Sequence, residues 1–353
     1  MKPGVWESAP IMKCDMFLQD DLDARGTDMK RRDFIKLLSG VLIWPLAASA
    51  QQGRIWRIGV LETSALALNT ANMEAFLEGL RALGYVEGRN LVIDYRSADG
   101  VAERFHDLAT ELVRENCDLI LTRGTPAVLA AKNATGAIPI VMAASGAPVG
   151  VGVVASLAQP GRNVTGLSAF TTELESKRVE ILREILPELK RLAALYNMSN
   201  PISQARWESL ERSARSLRIE PQLLDVRKME DLESAFAQAI EGHADALIVE
   251  NDGLIHANRR LITGLASRHK LPAMYATREL VDEGGLLSYS VDYAHLYFRA
   301  ATFVDKILKG AKPSDLPVEQ PTKFELVANL NAARSIGLTL SESFLLRADK
   351  VIE

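Results

Sequence analysis

The side chains able to do chemistry in this chain sit at the ends of short apolar runs. In the first half they are Glu62-Thr63-Ser64, Thr122-Arg123-Gly124-Thr125 and Ser145-Gly146. In the second half they are Asn197, Ser199, Asn251-Asp252 and Thr277-Arg278. Hydroxyls, amides and a carboxylate suit hydrogen-bonded recognition of a small polar solute better than bond making. Thr125 precedes Pro126, so a helix starts there and offers free N–H groups to an anion. Asp252 could pair with an ammonium group, and Tyr196, Tyr275 and Tyr289 lie at or near strand ends, where a ring could stack. The candidate ligand contacts are therefore Ser64, Thr125, Ser145, Asn197, Asn251, Asp252, Tyr275 and Tyr289. The same residue types cap helices and form turns, and a strand-end tyrosine is equally a core residue, so no single candidate marks a contact by itself. Beyond the leader described below, the tryptophans are Trp56 and Trp207, neither at the carboxyl end of a strand, which argues against a neutral sugar and for a carboxylate-bearing ligand, an amino acid first.

Catalytic constellations fail one by one. There is no G-x-S-x-G elbow, no Walker loop and no H-E-x-x-H. Gly150-Val151-Gly152-Val153-Val154-Ala155 matches G-x-G-x-x-A, but it follows the fourth strand rather than the first and reads as a glycine-containing helix packed close to the sheet. His106-Asp107 and Asp292-x-x-His295 have no nucleophile nearby, and Cys117 opens a buried strand as a small hydrophobe. We expect no catalytic residue, no metal and no cofactor.

Bulk properties agree. The chain has 353 residues, 48% hydrophobic and 24% charged, enough apolar material for two domains. With 41 Lys and Arg against 45 Asp and Glu, it lacks the global basic field of a nucleic-acid binder. Two cysteines and five histidines exclude a Cys/His-rich metal scaffold.

Positioning these residues requires alternating strands and helices. Strand-like runs at 57–61, 91–95, 118–122 and 139–143 alternate with helical patterns at 71–83, 101–115 and 126–133. After Gln159-Pro160-Gly161-Arg162-Asn163 the pattern restarts, with helices at 173–186, 203–217, 231–240 and 255–269 and strands at 191–196, 222–226, 246–249 and 272–275. Two parallel sheets with helices on both faces follow, and ligands bind such sheets outside the carboxyl ends of the strands. A helix at 292–308, a proline-punctuated stretch at 313–321, a strand at 324–327 and a helix at 331–336 complete the chain.

Ahead of all this lies an export signal. Lys30-Arg31-Arg32 form a basic start, 37–48 an apolar run too short to span a membrane, and Ala48-Ser49-Ala50 a small-x-small cleavage site. Arg31-Arg32-Asp33-Phe34-Ile35-Lys36 fits the twin-arginine pattern. Residues 1–28 carry six acidic side chains and no period, which reads as a disordered lead or a gene start placed upstream of Met29.

The chain resembles the bacterial ABC-transporter substrate-binding proteins of the periplasmic binding protein type I fold, in the branch with tryptophan- and aromatic-amino-acid-binding relatives. The resemblance rests on LRALGYVEGRNLVIDYR (80–96), TRGTPAVLAAK (122–132), VASLAQPGRNVTG (154–166), ESKRVEILREILPE (175–188), EGGLLSYS (283–290) and KILKGAKPSDLPVEQPTKFELVANL (306–330), and reaches back into RRDFIKLLSG and WPLAASAQ (31–51). It implies two doubly wound α/β domains joined by three crossings, near 163–166, 288–291 and 321–324. The first domain would be 54–165 plus 291–322, and the second 166–290 plus 323–353. It also implies that where relatives carry Asp before the proline of the strand-four turn, this chain has Ala147-Pro148.

The expected function is the periplasmic solute-binding component of an ABC importer, not an enzyme. It would bind a carboxylate-bearing ligand by hinge closure and hand it to a permease with its ATPase, without nucleic acid and without embedding in the membrane after processing. The alternatives are a ligand-binding partner of a periplasmic sensor kinase and, behind it, an exported α/β enzyme. The leader generates a prediction: replacing Arg31 and Arg32 by Lys leaves precursor in the cytoplasm. Fractionation showing a normal periplasmic yield would assign export to the general secretory route.

Overall fold

The computed structural model describes residues 54–169 and 171–353, so the expected leader and export signal lie outside the described residues. Two sheets organise the chain. The first contains β1 (Trp56–Glu62), β2 (Leu91–Ser97), β3 (Leu119–Arg123), β4 (Ile140–Ser145) and β5 (Val164–Ser168) in the order β2-β1-β3-β4-β5, all parallel. Helices α1 (Thr70–Ala82), α2 (Phe105–Arg114) and α3 (Thr125–Ala134) connect them. Both faces are covered, which is why β3, β4 and β5 are buried along their whole length.

After α4 (Thr171–Ile185) the second sheet begins with β6 (Arg191–Tyr196), α5 (Ser203–Ser216), β7 (Glu220–Asp225), α6 (Asp231–Glu241) and β8 (Ala246–Val249). It continues with α7 (Gly253–Ala257), α8 (Arg259–Arg268), β9 (Ala273–Tyr275), α9 (Arg278–Asp282) and β10 (Leu287–Val291). The chain then forms α10 (Tyr293–Leu308), β11 (Phe324–Asn329), α11 (Leu330–Ile336), α12 (Glu342–Leu345) and β12 (Lys350–Ile352). The sheet order is β12-β11-β10-β9-β8-β6-β7. The fold is two α/β domains of the periplasmic binding protein type I class. Among the described residues no helix is long and apolar enough to cross a membrane.

The late segments go where their apolar faces are needed. α10 packs on α1 and against β4 and β5, and Tyr85 Oη donates to Asp305 at 3.0 Å between the two helices. The stretch behind it pads the edge of β5: Thr165 Oγ1 donates to the Leu316 carbonyl at 2.6 Å, and the Ser168 amide to that of Glu319 at 2.8 Å. β11 then returns to the second sheet.

Four details differ from the sequence reading. Residues 163–166 do not carry the crossing; β5 pairs with β4 through Ser168, because its apolar residues complete the first core. β10 and β11 run antiparallel, since the chain leaves to form α10 and comes back from the opposite end. The expected helix at 255–269 is two helices, broken at Asn258, whose side chain bonds the Leu254 carbonyl at 2.9 Å. The Gly150–Ala155 segment is a run of turns rather than a helix: Gly152 takes φ +71°, and the amides of Val153 and Val154 both donate to the Pro148 carbonyl.

Gly166 crosses β4 at close range. Its φ is +125°, and a Cβ there would stand 2.5 Å from the Met142 amide nitrogen and nearer still to its carbonyl oxygen. Neither backbone can move without breaking the ladder, so Gly166→Ala should lower stability by about 3 kcal/mol or more. Chemical denaturation checks this; an unchanged midpoint at unchanged slope would show that the strand slides to make room.

Candidate functional site

The carboxyl ends of both sheets face one cleft. The first sheet supplies Thr63 after β1, Arg123 and Thr125 at the β3–α3 turn, and Ala144 and Gly146 at β4. The second supplies Asn197 and Asn200 after β6, Arg206 on α5, and Asn251 and Asp252 after β8. Tyr293, the first residue of α10, closes the inner end, and Phe105, Ile202 and Leu254 give the cleft apolar walls.

Of the candidates from sequence, the cleft brings together Thr125, Asn197, Asn251 and Asp252. Ser64 and Ser145 are buried behind the first rim, each with an unpartnered hydroxyl, and do not line it. Tyr275 belongs to the core of the second sheet, its ring against Gly285. Tyr289 on β10 stacks on Phe324 on β11, ring centroids 6.3 Å apart. Tyr196 is wholly buried beside Trp207.

The residues not singled out from sequence are the strongest charges. Arg123 is 3% exposed. Its Nη1 donates to Asn69 Oδ1 at 3.0 Å and its guanidinium lies 4.7 Å from the Tyr293 ring centroid. Its Nη2 has no hydrogen-bond acceptor; the nearest carboxylate, Glu279 on α9, is 3.6 Å away across the cleft. Arg206 is 1% exposed and bridges two carboxylates, Glu175 by Nε at 2.9 Å and Glu250 by Nη1 at 3.0 Å. In the sequence Arg206 is one of many charges on an exposed-looking helix, and no spacing marks it. Arg123 stands in a turn already marked by Thr125, and that was the available signal.

The second rim is built on these charges. Glu250 accepts from the Asn197 amide and from Ser203 Oγ at 2.9 Å. Burial, opposed by Arg206 and assisted by Asp252, pushes the Glu250 carboxyl up to about 8. Burial acts the same way on Glu175, but Arg178 and Arg206 overcome it and hold its carboxyl below the usual range. Asp252 caps α7 by accepting from the Leu254 amide at 2.9 Å, and takes Asn197 Nδ2 at 3.1 Å and Asn200 Nδ2 at 2.9 Å. On the first rim α3 has no side-chain cap, which leaves first-turn amides for a ligand.

The two α/β domains thus present opposed polar rims across one cleft. Residues 60–352 match the family of ABC transporter substrate binding proteins, and the chain belongs to that family. It is 28% identical over 265 residues to a tyrosine-binding protein of Clostridioides difficile, covering 75% of this chain and 76% of that one. It is similar to the ABC domain from Streptococcus pneumonia in complex with L-Trp, with 28% identity and a TM-score of 0.78, covering 84% of this chain and 100% of the other. The ligand-free, open structure of a substrate binding protein with adhesive properties from Clostridium difficile gives 25% identity and a TM-score of 0.62, over 85% and 99% of the chains. The family and these relatives carry the names of substrate-binding proteins.

His256, on α7, makes stability depend on acid. Burial lowers its pKa to about 4, with Glu279 pulling upward and Arg123 and Arg259 pushing down. Between about 6.5 and 4 the unfolded chain takes up a proton that the folded imidazole refuses. Stability from this group is thus complete above about pH 6.5 and lost as pH falls to about 4, by up to about 3 kcal/mol. His256→Gln should flatten that part of the profile. Parallel acid limbs for the two proteins in thermal unfolding would place the dependence on other groups.

Proposed function

We propose that this protein is the ligand-binding component of an ABC importer, acting outside the cytoplasmic membrane, and that it closes around an L-amino acid with an aromatic side chain. The observation that carries this is the pairing of chemistries in one cleft. The Nη2 of Arg123, without a hydrogen-bond acceptor, and the uncapped turn of α3 suit a carboxylate, Asp252 opposite suits an ammonium group, and Phe105, Ile202 and Leu254 supply apolar walls for a ring. The names of the relatives that bind tyrosine and L-Trp support the same class.

In this reading residues 54–168 with 293–322 move against 169–291 with 323–353, and the closed form engages the permease. Contacts across the cleft support closure: Arg123 meets Glu279, Asn251 meets Tyr293, and the backbones of Gly100 and Gly253 touch. So does the higher similarity to the ligand complex, 0.78, than to the open form, 0.62.

Titration calorimetry on the mature protein with L-tryptophan, L-tyrosine and a panel of neutral sugars tests the proposal. We expect an aromatic amino acid to bind, and to raise unfolding stability by about 2.7 kcal/mol at a hundredfold excess over Kd. Thr125→Ala and Asp252→Asn should each weaken binding roughly tenfold or more, the loss of one hydrogen bond to a charged group. Tight binding of a sugar with no response to any amino acid would overturn the reading.

A further inference from the structure

Behind the cleft wall three side chains form a directional chain. His256 Nε2 lies 2.9 Å from Asn251 Oδ1, and Asn251 Nδ2 donates to Tyr293 Oη at 2.5 Å. An amide oxygen only accepts, so His256 must carry its proton on Nε2. The Asn251 amide is thereby oriented with its N–H toward Tyr293. Because Tyr293 Oη accepts a hydrogen bond from Asn251, its own O–H is left to donate elsewhere, and among the described residues it donates to no side chain or carbonyl. Tyr293 lines the cleft beside Arg123, whose buried Nη2 is also without a hydrogen-bond partner. Two unused donors thus stand at the inner end of one cleft.

We propose that this relay turns the Tyr293 hydroxyl into a fixed proton donor and that, with Arg123 Nη2, it forms the subsite for the ligand's carboxylate. His256 does not line the cleft and acts as a positioning residue. Asn251 belongs to the second sheet, whereas α10, which carries Tyr293, packs on α1 of the first domain. The Asn251–Tyr293 bond therefore forms only as the domains close, so the donor is aimed when the cleft shuts. An anion is favoured over a neutral amide there because the amide's N–H groups would face donors. Glu279, 3.6 Å from Nη2, and the buried Glu62 offset part of the Arg123 charge, which makes the oriented hydroxyl matter more. This inference rests on the amino-acid reading above.

The test compares L-tyrosine with L-tyrosinamide, which lacks the carboxylate charge, by calorimetry. Wild type should prefer the acid by tenfold or more. Tyr293→Phe should remove about a tenfold share of that preference while leaving amide binding nearly unchanged. Asn251→Asp, whose carboxylate takes the hydroxyl proton, should abolish the preference. At position 256 a donor should suffice: His256→Gln keeps the preference and His256→Met loses it, with melting curves recorded for both. Unchanged acid-to-amide ratios in Tyr293→Phe and His256→Met overturn the relay. Independently, nitrogen NMR of the unliganded protein should find the His256 proton on Nε2; finding it on Nδ1 overturns the relay whatever the ligand. A wild type that binds no amino acid overturns the amino-acid reading and the subsite with it.

Discussion

The cleft's second rim depends on one buried cation. Arg206 is held between Glu175 on α4 and Glu250 at the end of β8, and it also donates to the Asn251 carbonyl at 3.2 Å. Glu175 in turn pairs with Arg178 at 3.0 Å, and Arg178 Nε donates to the Tyr289 carbonyl on β10 at 2.9 Å. A single chain of charge-assisted bonds therefore runs from β10 to the cleft. Stripping water from Arg178, Arg206 and Glu175 is costly, and their ion pairs offset part of it. Losing one member leaves the others uncompensated, so the arrangement specifies one geometry for residues 250–252 rather than simply adding stability.

That rigidity matters because the first rim is organised differently. It relies on backbone: the turn into α3, the uncapped first-turn amides, and Arg123 anchored by Asn69. The two rims share no covalent connection near the ligand. What joins them is a set of short contacts across the cleft, of which the Gly100–Gly253 approach is the tightest sterically, since a Cβ on Gly100 would stand 2.9 Å from the Gly253 carbonyl oxygen.

Much of the architecture was legible from the residues. Ala246–Val249 and Arg191–Tyr196 are continuous apolar runs with turn residues at each end, and such runs have few alternatives to a buried parallel strand. Asp292 and Asp252 cap helices where a short polar side chain precedes a helical pattern. Thr125, Asn197, Asn251 and Asp252 were readable as site candidates because strand carboxyl ends are where such sheets bind ligands. Less legible were long-range choices. Nothing local says that β5 stays in the first sheet through Ser168, that β11 pairs antiparallel with β10, or that Asn258 interrupts a helical pattern.

What the sequence by itself determined is the alternation of strand and helix and the polar character of the loops that follow the strands. These follow from period and residue type, which act over a few positions. Tertiary structure alone decided which polar residues meet. Ser64 and Ser145 turned away from the cleft and Tyr275 and Tyr289 went into packing, while Arg123, Arg206 and Tyr293 turned inward. The physical reason is that burial of a charge is decided by partners far along the chain: Arg206 can be buried only where Glu175 and Glu250 converge on it, and no pattern near position 206 records that convergence.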